Sequence, residues 1–462
     1  MQAVFWLVNA ARRAQRNVSP GENNHFKSHA RSSWTAESGG APAAEPGQRW
    51  AAGVCGSCVA ECDLRTAEGL KAARAAYVAR RPIILRHASE VIAPDVCAEL
   101  GDVTRLSALL KGLDVTVLRA DRAAKGRFTY YHDVSKRDAE RGDARHRKMM
   151  APPQVNERVL MSWEQFYRAL RAHQQSDTYY YMQLAIAARQ GGISSDPTAG
   201  VSTRVSPRIL ASLQAAMRAG PLHRLTRDLG PWTVSNLYCG PANTLAPCHW
   251  DALDNTFLQL HGRKDVLMFA PETAGLRPFP HDHPFGSRAQ VDLERLDEQS
   301  RAELAGRGAL ARLAPGDGLF IPSMWWHHIQ SSAANELSIS LNFWFDPSRE
   351  LHAALQSAAG LPHPPTPSLH QQLAREVEAL VAATTPTMSQ RAAFFSSVAS
   401  VLAGDLAASP GELGADSVAK RNFVLQMLVS IFGQEGARRF CAAYLDPRRW
   451  SGLQRVCFLD QR

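Results

Sequence analysis

The strongest constraint on the fold is a run of short β-type segments between residues 230 and 345, each broken off by Gly or Pro. The segments read TVSNLY, NTFLQLHG, KDVLMFAP, GLFIPS and LSISLNFWF. Many short strands with turn signals between them predict a barrel or a jelly roll. In Leu337-Ser338-Ile339-Ser340-Leu341-Asn342-Phe343 apolar and polar residues alternate. One face of that strand is therefore expected in a core and the other along a surface or cavity.

The flanks read differently. Residues 1–62 are rich in Ala, Gly, Pro, Ser and Asn, and a poorly ordered N-terminal segment is expected there. Residues 66–80 predict a helix, followed by strands at Pro82–Arg86 and Val115–Leu118. Ser162 and Gln165 form the S-x-x-Q signature of a capped helix start. Tyr179–Gln183 reads as an aromatic-rich strand. Strand signals are lacking from 367 to 462, which reads as helices. The nearly all-apolar stretch Phe423–Phe432 predicts a buried helix or a homodimer contact. The expected fold is mainly β, with a jelly-roll core over 63–346, flanking N-terminal helices and a helical C-terminal region over 347–462.

A chain of 462 residues, 45% hydrophobic and 21% charged, can bury an enzyme-sized core. Its formal net charge of +9 permits an acidic partner. Residues 119–148 hold ten Lys and Arg against five acids, so one segment carries much of that excess. It reads either as a solvated loop or as a lip that attracts an anionic substrate. The eight Cys lack a secreted-scaffold spacing and read as reduced thiols. Cys55, Cys58 and Cys62 have no evident fourth ligand for zinc. No stretch of 18 uncharged apolar residues suits a helical membrane span. The expected compartment is cytoplasmic or nuclear. The first 21 residues carry Arg12, Arg13 and Arg16 without an acid, which fits a mitochondrial presequence or a tail.

Chemistry concentrates at P-C-H-W-D, residues 247–251. On an extended chain residues i and i+2 point to one side, so His249 and Asp251 can present an imidazole and a carboxylate to one metal. A third ligand is available in G-D-G-L-F-I-P-S-M-W-W-H-H, where an apolar strand leads to His327 and His328. Two His and one carboxylate occupy one face of an octahedron and leave three positions open. Zinc hydrolases share that ligand set, more typically on a helical H-E-x-x-H. Either His alone reads equally as a core residue.

Four stretches together resemble the JmjC/cupin-like 2-oxoglutarate oxygenases: 246–271, 287–292 (SRAQVD), 315–329 and 338–345. Among these the asparaginyl hydroxylase called factor inhibiting HIF and the tRNA wybutosine hydroxylase are similar. The resemblance implies a double-stranded β-helix, Fe(II) held by His249, Asp251 and His327, and use of 2-oxoglutarate and O2. It implies that Lys264 pairs with the far carboxylate of 2-oxoglutarate and that Tyr181 hydrogen-bonds the same group. Asn255 and Asn342 match cosubstrate-side amides, Gln183 a residue near the substrate, and Trp344 an aromatic residue beside the metal. Ala246 stands where the asparaginyl hydroxylase has a threonine, so one hydroxyl contact is absent. The implied activity is hydroxylation of a protein side chain. A tRNA base, demethylation of methyl-lysine, or a non-catalytic scaffold are the alternatives.

Overall fold

Two β-sheets carry the middle of the chain, and helices cover them. The computed structural model describes residues 47–121, 126–128, 156–190, 200–279, 285–332, 337–347, 366–385, 388–404 and 415–450. The early strands are β1 (Cys55–Cys58), β2 (Glu61–Asp63), β3 (Ile83–Arg86), β4 (Asp114–Asp121), β5 (Glu157–Ser162), β6 (Thr178–Arg189) and β7 (Val201–Ser202). The later ones are β8 (Trp232–Pro241), β9 (Leu245–His249), β10 (Asp254–His261), β11 (Lys264–Phe269), β12 (Gly308–Leu313), β13 (Gly318–Ile321), β14 (Trp326–Ser331) and β15 (Leu337–Phe345).

One sheet has the order β1-β12-β11-β14-β9. The other runs β2-β3-β13-β10-β15-β8-β6-β4-β5, with β7 beside β6. Between them lie Phe257, Leu319 and Ile321 from the larger sheet and Val266, Met268, Ala309 and Ala311 from the smaller, all buried in one cluster. This is the expected jelly-roll core, with each strand's alternate residues turned inward.

Helices cover the other face of the larger sheet. The helix Ala67–Val78 is capped by Thr66, whose side chain accepts from Gly69 N. Its Tyr77 stacks on Phe320 of β13 at a 3.8 Å centroid distance, and its hydroxyl meets Thr256 Oγ1 at 2.8 Å. The Ser162–Gln165 capping box forms with both of its hydrogen bonds. The C-terminal helices Pro367–Thr384, Met388–Leu402 and Ala415–Leu445 share their own core, in which Leu373, Phe395 and Leu428 are fully buried. Thus Phe423–Phe432 lies on a helix packed against its neighbours. Among the described residues no helix is long and apolar enough to cross a membrane.

One expectation needs correction. The loose N-terminal segment was expected to run to residue 62, yet from 47 onward the chain is built into the core. Trp50, Val54 and Val59 are buried, and β1 and β2 pair in parallel with β12 and β3. Sheet pairing with distant strands, not local propensity, orders this low-complexity stretch. Residues 1–46 and nearly all of the basic segment 119–148 lie outside the described residues, apart from 119–121 and 126–128.

Candidate metal centre

β9 and β14 are antiparallel neighbours, and their register sets His249 opposite His327. Pro247 has no N–H for a ladder, but β9 is the edge strand of its sheet and tolerates it. Asp251 lies two residues past His249. One ligand atom from each of His249, Asp251 and His327 lies within 4.8 Å of the others. The imidazole centroids are 4.2 Å apart, and Asp251 Oδ2 is 3.2 Å from His327 Nε2.

The hydrogen bonds set the tautomers. His249 Nδ1 lies 2.8 Å from Pro247 O, and His327 Nδ1 lies 2.9 Å from Trp325 O. A carbonyl oxygen only accepts, so each Nδ1 donates its proton and each Nε2 is the ring nitrogen left to face a metal. Burial, then the neighbouring His327 ring and the Arg288 guanidinium, hold the His249 imidazole well below its usual range and therefore neutral. Burial pushes the Asp251 carboxyl up, but the His327 ring against it, then the His249 ring and the Arg288 guanidinium, outweigh it, leaving it at about 2. Two imidazole nitrogens and one carboxylate suit a divalent transition metal with open positions.

A buried network fixes the turn that delivers His327. Met324 N donates to Asp251 O at 2.8 Å. Met324 itself has φ 66°, a left-handed value that costs a non-glycine residue on the order of 1 kcal/mol and persists only where its surroundings impose it. Ser323 N donates to Asp254 Oδ1 at 2.9 Å. Asp254 Oδ2 pairs with Arg80 Nη1 at 2.5 Å, both groups being buried. Trp325 Nε1 donates to Arg80 O at 3.0 Å.

A cavity of about 620 Å³ opens beside the three ligands. Lys264, Tyr181 and Asn255 line it together with His249, Asp251 and His327. The turn before Lys264 is the two-residue link Gly262–Arg263 between β10 and β11. Gly262 has φ 70°, and a Cβ there would lie 2.4 Å from Leu337 O, so glycine is required where the chain crosses from one sheet to the other just before Lys264. The lysine is 3% exposed. Its Nζ donates to Ser340 Oγ at 2.9 Å and Tyr181 Oη at 3.4 Å, and among the described residues no carboxylate pairs with it. Burial pulls the ammonium down from 10.5 to about 7.

Folding therefore sheds this proton between pH 7 and 10.5, the unfolded chain binds more protons there, and stability rises with pH across that window. The lysine's penalty is greatest below about pH 7 and amounts to a few kcal/mol. We expect Lys264→Met to raise Tm by several degrees near pH 6, with the gain fading towards about pH 10. Calorimetric scans across pH check this; a gain independent of pH contradicts it.

Asn342 differs from expectation. It is buried on the same face of β15 as Ser340 and Trp344, but it does not line the cavity. Its Oδ1 and that of Asn255 are buried without a hydrogen-bond partner among the described residues. Ala246 lines the cavity without a hydroxyl, while Thr244 and Ser331, 2.9 Å apart, bring theirs to the same wall. Sequence reasoning assigned no role to Arg288, Asn236, Tyr238 or Ser340. Arg288 donates to Pro247 O at 3.2 Å, the carbonyl that also orients His249. Gln183 and Asn236 donate to Tyr238 Oη at 3.2 and 3.4 Å. The period-two spacing of Asn236 and Tyr238 on β8 was the one signal that could have found that pair.

A cupin-like domain family model matches residues 71–350, more than half of the chain. Jumonji C domain-containing protein 5 of Drosophila melanogaster is 35% identical over 112 residues, 24% of this chain and 27% of that protein. Lysine-specific demethylase 8 of Xenopus tropicalis is 36% identical over 112 residues, 24% of each chain. The tRNA wybutosine-synthesizing protein 5 of Gallus gallus is 33% identical over 99 residues, 21% of this chain and 29% of that protein. The chain thus spans about a quarter of the length of the curated relatives it matches.

Proposed function

The chain belongs to the cupin-like JmjC oxygenase family, and on that premise we propose that it is an Fe(II)- and 2-oxoglutarate-dependent hydroxylase acting on a protein side chain. The observation that carries this reading is the convergence of three ligand atoms beside a buried lysine that has no carboxylate partner among the described residues. Such a cation calls for a carboxylate from a bound molecule. The buried, unpartnered Oδ1 of Asn255, which lines the cavity, adds polar capacity there.

In this reading His249, Asp251 and His327 hold Fe(II) through two Nε2 atoms and a carboxylate oxygen. The iron with 2-oxoglutarate and O2 supplies the oxidising power for C–H hydroxylation, with succinate and CO2 as coproducts. Lys264 binds the far carboxylate of 2-oxoglutarate, and Tyr181 and Ser340 orient the lysine. Phe257 and Trp344 line the cavity and keep water from the reacting centre. Arg288 holds the Pro247 carbonyl and so the His249 ring. Gln183, Asn236 and Tyr238 offer hydrogen bonds to an amide-bearing side chain on the cavity wall.

A tRNA base is the second reading, favoured by the net positive segment 119–148 and by the name of one relative. Incubation of the iron-loaded protein with 2-oxoglutarate and pools of peptides or tRNA, followed by mass detection of an added oxygen atom, separates the two. We expect the product in the peptide pool. A product confined to tRNA moves the assignment to the second reading, and one lacking a methyl group instead indicates demethylation.

A further inference from the structure

Resting on the metal-site reading, we infer that the C-terminal helix Pro367–Thr384 is a clamp on the metal centre, with Gln372 and Arg375 as positioning residues. This helix lies wholly outside the segment that the family model matches. Yet Gln372, Arg375 and Glu376 line the same cavity as the three ligands.

Two residues make it a clamp. Gln372 Nε2 donates to Ser323 Oγ at 2.9 Å, in the turn whose Met324 N binds Asp251 O and whose exit delivers His327. Arg375 donates to Phe279 O at 3.1 Å and Gly286 O at 3.0 Å. Directly after Gly286, Ser287 O accepts from Trp250 N, Arg288 bridges to His249, and Ala289 N donates to Cys248 O. One helix thus grips both segments that position the ligands.

The grip is itself locked in place. Arg375 is buried and meets Glu378 Oε2 at 2.7 Å, and Glu378 Oε1 meets Arg449 at 2.7 Å. The carbonyl of Arg449 accepts from Gln290, one residue past Ala289. The Arg375 guanidinium also lies 5.6 Å from the ring centroid of Trp250, between the ligands His249 and Asp251 in sequence. Removing one partner of such a buried charge group leaves an uncompensated charge, so Arg375, Glu378 and Arg449 hold one another in place in this packing.

The test is Co(II) binding by the full chain, read by visible absorption and by calorimetric affinity. Gln372→Ala and Glu378→Gln are compared with Arg439→Gln, an exposed site in the same bundle whose side chain is 73% exposed. Because Glu378→Gln alters a buried triad and endangers folding, Gln372→Ala decides alone if that variant does not fold. We expect Gln372→Ala and Glu378→Gln to weaken Co(II) binding about tenfold and to shift the absorption bands, as loss of an outer-sphere partner does elsewhere. Arg439→Gln should bind as the unaltered chain does. Unchanged affinity and spectrum in folded Gln372→Ala overturn the clamp while leaving the metal reading intact. Absence of Co(II) binding by the unaltered chain overturns both.

Discussion

His249→Ala, Asp251→Ala and His327→Ala are each expected to abolish iron-dependent turnover while the fold survives. Each removes one of three atoms that the register of β9 and β14 brings within 4.8 Å. Two remaining donors cannot define one face of an octahedron. The loss in metal affinity should exceed the roughly 10–100-fold that removal of an outer partner costs. Asp251→Ala is the cleanest of the three, since its side chain is 34% exposed and truncation leaves little cavity. Equilibrium dialysis with Fe(II) under anaerobic conditions, together with circular dichroism melts, checks the pair of outcomes. Normal turnover in any of these variants would remove that residue from the ligand set.

Asp254→Ala should be the most damaging substitution away from the ligands. Asp254 is fully buried, receives Ser323 N, and pairs with an Arg80 that is 4% exposed. Truncating it leaves a buried guanidinium without its carboxylate, which costs about 3–5 kcal/mol. The Pro322–Trp325 turn also loses an anchor, so metal affinity should fall alongside stability. Replacing both partners, Arg80→Met with Asp254→Ala, should cost less than the sum of the two single changes, because no uncompensated charge remains. Urea titrations of the four proteins give the coupling directly. Additive costs would mean that the two side chains do not depend on each other.

Much of this was legible in the sequence, and the reasons are local. Short alternating strands announced the jelly roll because inward and outward residues follow a period of two. His249 and Asp251 are two apart on extended chain, so their convergence could be read without knowing the fold. Lys264 was marked by the resemblance of the stretch around it. What stayed hidden depends on long-range geometry. Residues 47–62 looked disordered because their order comes from pairing outside the segment, with β3 beyond the next helix and with β12 far along the chain. Arg80 and Asp254 are 174 positions apart, and nothing near either residue announces the other. The helix bearing Gln372 and Arg375 read correctly as a helix, but its seat over the metal cavity is a tertiary fact. Asn342 sits on the expected face of β15, yet Ser340 on that face is the residue that reaches Lys264.

The central claim is that one ferrous ion and one 2-oxoglutarate share this cavity, the first on three side chains and the second on Lys264. Anaerobic calorimetric titration of 2-oxoglutarate into Fe(II)-loaded protein tests it most directly, run beside metal-free protein and Lys264→Met. We expect one-to-one binding to the loaded protein, at least tenfold weaker binding without metal, and a comparable loss in Lys264→Met (about 1.4 kcal/mol or more in each case). Binding that is indifferent both to the metal and to Lys264 would contradict the account.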